Sequence, residues 1–114
     1  MANDVQKQAI AKAADQIRAA MQLVYQSHQA TSDTTTLLKI NLEYMQLNTF
    51  LNQLSDAQNA ADDADFTSAT STLKQQATGL QGQEENIAKV ISDVGKAAKV
   101  AEYISQALAF IATL

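Results

Sequence analysis

The chain offers one histidine, His28, and no cysteine, so any chemistry must rest on carboxylates, hydroxyls, lysine amines and that imidazole. His28 shares a helical stripe with Met21 and Ile17, an arrangement that in a helical bundle could present an axial ligand to a haem. The same position equally suits a partly buried histidine at the end of a helix, favoured there by the negative end of the dipole. Carboxylate-bridged metal bundles use four glutamates with two Glu-x-x-His motifs. Glu43, Glu84, Glu85 and Glu102 are available, but no such motif is present. Asp62, Asp63 and Asp65 could suggest calcium, yet an EF-hand loop starting at Asp63 would need glycine where Ser68 stands and glutamate where Lys74 stands. Carboxylates just before a helix are better read as caps on its unpaired amides. No Gly-x-Ser-x-Gly elbow, phosphate-cradling glycine loop or zinc motif occurs, and a serine nucleophile would depend on His28 alone. The expectation is a non-enzymatic protein with no catalytic, metal-binding or cofactor-binding residues.

Composition narrows the class further. At 114 residues the chain has room for one core, and residues 1–114 are expected to form a single helical domain. Hydrophobic residues make up 46% and charged residues only 18%, so a packed core is expected under a surface of neutral Gln, Asn, Ser and Thr. Charge-poor surfaces repel one another weakly, which favours self-association or life inside a complex. A net charge of −4 with only 8 lysines and arginines argues against nucleic acid, whose phosphates require clustered cations. The first residues lack the apolar block of a secretory signal, and the uncharged stretch 103–114 is too short to span a bilayer. The expected location is cytoplasmic, or outside the cell by a signal-independent route.

The elements that would carry these residues are helices. Proline is absent and only Gly79, Gly82 and Gly95 interrupt the chain. A first helix over 3–29 places Ile10, Ala13, Ile17, Ala20, Met21, Val24 and His28 on one stripe. Residues 30–35 form a turn-favouring cluster. The second helix, 36–59, carries the clearest seam, Leu37, Ile40, Tyr44, Leu47, Leu51 and Leu54, at alternating spacings of three and four, as in a coiled coil or antiparallel bundle. The third starts after Asp62, Asp63 and Asp65 and runs through Phe66, Leu73, Ala77 and Leu80, over a weak helix-forming run at 67–72. A break at Gly79 and Gly82 would open a last helix over 83–113, with Ile87, Val90, Ile91, Val94, Ala97, Ala98, Ala101, Ile104, Leu108 and Ile111 on a broad arc and Gly95 weakening its middle. The fold class expected is all-α: an up-and-down bundle of three long helices, the last becoming two if the chain breaks near the glycines.

The positive functional signal is surplus apolar surface. Leu38, Leu42 and Met45 lie opposite the second helix's seam, which makes its first half apolar on two faces. Near the C-terminus, Tyr103, Leu108, Phe110, Ile111 and Leu114 surround the last helix almost completely, more than one neighbouring helix could cover. These eight residues are the expected interface with a protein partner or a second copy. The alternative is a membrane-active protein using its C-terminal amphipathic helix, for which Lys89, Lys96 and Lys99 form a thin basic cluster. Richness in Ala, Gln, Ser, Thr and Asn, absence of Cys, Trp and Pro, and an amphipathic last helix together resemble exported bacterial helical subunits of filament and secretion systems. That resemblance is compositional, rests on no motif and assigns no residue a role.

Overall fold

The computed structural model describes residues 4–29, 31–91 and 93–114. Asn3 and Ala30, where the first helix and the first turn were expected to begin, lie outside them. Four helices follow in order: α1 Asp4–Gln29, α2 Thr34–Gln58, α3 Asp63–Lys89 and α4 Val94–Ala112. The protein is an all-α helical bundle.

Three aspartates decide where helices begin. Asp33, Asp62 and Asp93 each sit in extended backbone and accept a hydrogen bond from an amide three residues on: Thr36 N at 2.9 Å, Asp65 N at 2.8 Å and Lys96 N at 3.0 Å. Each bond satisfies one of the amides that a first turn leaves without a partner. At Asp33 the Thr36 hydroxyl also donates, and these two bonds hold its carboxyl below the usual carboxylate range.

The fourth helix arises elsewhere than expected. α3 runs unbroken through Gly79 and Gly82, and the chain turns at Val90 to Asp93. Each glycine costs a helix interior about 1 kcal/mol, which lowers helix propensity without ending the helix. Leu80 between them is buried and holds that turn against the core. At the actual turn the Ile91 amide bonds Ala88 O, Ile91 is buried, and Asp93 restarts the helix. Lengths also favour this site: α1, α2 and α3 have 26, 25 and 27 residues and cover one another end to end. Val94, expected on the apolar arc, becomes the first residue of a new helix and is 83% exposed. The weak run at 67–72 stays helical because buried Phe66 and Leu73 hold it to the core at both ends, while the hydroxyls of Thr67, Thr70 and Thr72 turn back onto carbonyls of the same helix.

Helices this long joined by short loops must run antiparallel to their neighbours. Contacts agree: Lys7 in the first turns of α1 donates to Ala60 O in the second loop at 3.0 Å, and its ammonium stands 5.9 Å from the Phe66 ring centre. α1 packs on α2 and α4, and α3 packs on the same two, so each helix has two flanking neighbours and α1 lies diagonally across from α3. The bundle is a square prism of 48 × 21 × 21 Å. Its core is written in heptads: Ile40, Leu47 and Leu54 on α2, and Phe66, Leu73, Leu80 and Ile87 on α3. α1 contributes Ile10, Ile17 and Val24 together with Ala13, Ala14 and Ala20, whose small side chains let both neighbours approach. α4 adds Val100, Ile104, Ala107 and Ile111.

Three substitutions test this packing. Leu47→Ala removes a side chain with no solvent exposure and should cost about 2–5 kcal/mol in denaturant unfolding, whereas exposed Gln46→Ala should change stability by less than about 0.5 kcal/mol. At Gly82 an added Cβ meets nothing within 4 Å, so Gly82→Ala should raise the midpoint, worth about 0.5–1 kcal/mol.

Candidate interaction surface

Pointing Ile40, Leu47 and Leu54 inward obliges residues about half a turn away to point outward. On the first half of α2 those residues are Leu38, Leu42 and Met45, and they are 61%, 60% and 63% exposed. Their spacings of four and three are those of a coiled-coil seam, continued by Thr35 before and Thr49 and Asn52 after. The second apolar face of this helix is therefore uncovered by its own bundle.

Beside the ridge, between α2 and α3, runs an open groove of about 510 Å³. Leu42, Met45 and buried Phe50 form one wall, and Gly79 and Leu80 belong to the other. An added Cβ at Gly79 meets nothing within 4 Å, so this wall is open to close approach. The remaining lining is Gln46, Thr49, Gln76 and Gln83, and no charged side chain lines the groove among the described residues. On the α1 side of the ridge, Tyr25 and Tyr44 approach at 6.5 Å between ring centres, tilted by 53°. His28, half-buried in the last turn of α1, stacks on Tyr25 at 6.3 Å with the planes 2° apart. Met21, its possible companion in a haem site, is buried in the core.

The C-terminal residues expected at the same interface are placed differently. Ile111 is 1% exposed and belongs to the core, while Tyr103, Leu108, Phe110 and Leu114 are partly buried against it. One helix could not cover both sides of α4, but two do: α1 takes one flank and α3 the other. Lys12 of α1 stands 6.0 Å from the Phe110 ring centre. The two halves of the expected interface are thus separate, one exposed on α2 and one folded into the bundle. Among the described residues no helix is long and apolar enough to cross a membrane, and no group of three or more His, Asp or Glu side chains could hold a metal ion.

Comparison with protein-family models, characterised proteins and solved structures finds no match. The surface must be read from its own geometry.

Sequence reasoning missed the groove because its floor comes from two helices. Phe50 is four residues from Leu54 on the buried arc yet lies off the Leu37–Leu54 line, toward α3; the one available signal was a phenylalanine three residues after Leu47. Glu43, on the same shoulder, carries a cost. Its Oε2 is buried without a hydrogen-bond partner among the described residues, and desolvation pushes its carboxyl above the usual carboxylate range. The folded protein therefore holds this proton more tightly than the unfolded chain, and stability falls as pH rises from the unfolded value near 4.5 through the folded one. Glu43→Gln should raise the thermal midpoint at pH 7, with the gain shrinking toward pH 4; an equal gain at both values would place its origin outside ionisation.

Proposed function

We propose that this chain is a non-catalytic assembly protein that works by docking an α-helix onto the exposed face of α2. The observation that carries the reading is the ridge Leu38, Leu42 and Met45, each at least 60% exposed, at the spacing that a helical partner's own apolar stripe would match. Surface apolar side chains scattered singly need no explanation, but two leucines and a methionine in helical register beside a groove are what an interaction site looks like. Tyr25 and Tyr44 extend the patch with the residue type most often found at the energetic centre of interfaces. The groove's uncharged lining suits an apolar helix with a neutral rim, since no buried charge would be left unpaired on docking.

The test is a selection from a displayed library of helical peptides, counter-selected on Leu42→Asp protein. Peptides with apolar residues at alternating spacings of three and four should bind the parent chain and lose at least about tenfold in affinity for the variant. The variant itself should keep its helical circular dichroism, because Leu42 is mostly solvated. Binders that ignore the substitution, or the lack of any helical binder, would remove this face from consideration.

A further inference from the structure

On the side of the ridge away from the groove, α1 and α2 enclose a recess of about 180 Å³. We propose that it binds a quaternary ammonium group, held by the rings of Tyr25 and Tyr44. The recess and the groove share no lining residue, so this site stands apart from helix docking.

The first argument is where the chain places its π systems. Aromatic residues make up only 5% of the sequence, without tryptophan. Yet two tyrosines and the one histidine line this recess, together with Ile40 and Asn41. Tyr25 and Tyr44 are both exposed, so core packing does not account for them. Their rings form a wedge, with centres 6.5 Å apart and planes tilted by 53°. His28, parallel to Tyr25 within 2° and 6.3 Å from it, continues the aromatic lining. A cation is attracted to a ring face from within about 6 Å of the ring centre. Between centres only 6.5 Å apart, one cation meets that distance to both rings at once.

The lining decides which cation. No Asp, Glu, Lys or Arg side chain borders the recess among the described residues. A primary ammonium would bring N–H donors that these walls leave largely without acceptors, and an anion would find no cation to pair with. A quaternary ammonium has no N–H to satisfy, and its methyl groups carry the spread charge onto the rings and pack against Ile40. Size agrees, because pockets for whole drug-sized ligands run from roughly 300 Å³ upward, whereas this one admits a head group. The chain's net charge of −4 favours cations over anions at its surface as well.

The test follows the tyrosine ring signals by NMR at about pH 8 during titration with choline chloride. A parallel titration uses the uncharged alcohol in which carbon replaces the choline nitrogen. Choline should shift the Tyr25 and Tyr44 signals saturably, with a millimolar Kd, and the carbon analogue should bind at least about tenfold more weakly. Tyr44→Phe keeps the ring face and should bind choline as the parent does, while Tyr44→Leu should lose at least about fivefold. Co-sedimentation with phosphatidylcholine vesicles would assign the head group to a lipid, and binding of free choline alone would assign it to a small solute. Equal affinity for choline and its carbon analogue would reveal an apolar recess indifferent to charge and overturn the proposal. So would ring signals that choline leaves unmoved, or an equal loss in Tyr44→Phe and Tyr44→Leu. Should Tyr44→Leu fail to fold, the comparison of the two ligands on the parent chain decides alone.

Discussion

Phe66, Leu73, Leu80 and Ile87 recur every seven residues along α3, and Ile40, Leu47 and Leu54 do the same along α2. A heptad of large side chains drifts only slowly around a helix, so each stripe stays turned toward the same neighbours for the whole 48 Å of the prism. Everything else depends on that constraint. It needs helices of matched length, which the aspartate caps provide, and it needs thin spacers between the large residues, which the α1 alanines provide. It also dictates which residues must face water, and so creates the ridge on α2 as a geometric consequence of the core.

Electrostatics plays a smaller part than in most bundles. Charged residues are only 18% of the chain, and an exposed pair such as Arg18 with Asp15, at 3.3 Å, contributes little. Two carboxylates act in opposite directions. Asp33 is held ionised by the amide and hydroxyl of Thr36 and supports the fold above its lowered range, whereas Glu43 is desolvated without compensation and opposes it once ionised. A desolvated carboxylate on the shoulder of an apolar ridge is the kind of local inconsistency that concentrates where a surface serves something besides stability.

Much of the fold was legible in the sequence because its core is periodic. The α1 stripe can be read from spacing, and so can the α2 seam, of which Ile40, Leu47 and Leu54 are buried while Leu37 and Leu51 are partly so and Tyr44 is exposed. The cluster Asp62, Asp63 and Asp65 marks the start of α3, with Asp62 as the cap and the other two inside the first turn. The turn at Val90 to Asp93 was hidden because Val90, Ile91 and Val94 continue an apolar helical pattern straight across it, while two exposed glycines upstream gave a louder and misleading signal. The exposed ridge was legible as surplus hydrophobicity. The partial burial of Phe110 and Leu108 was not, because periodicity describes one helix at a time, and closure of α4 onto α1 brings together segments almost a chain length apart.

α3 keeps one large side chain per heptad in the core, with Ala69 and Ala77 partly buried between them and two exposed glycines in its second half. Its hold on the bundle is the thinnest of the three long helices, and segments with sparse apolar contacts open at lower free energy than the domain as a whole. Amide hydrogen exchange would register such openings as a block of weaker protection around Gly79 to Gly82. The same stretch forms the far wall of the groove, so an opening there would widen the groove, while the ridge on α2 stays anchored by Leu47 and Leu54.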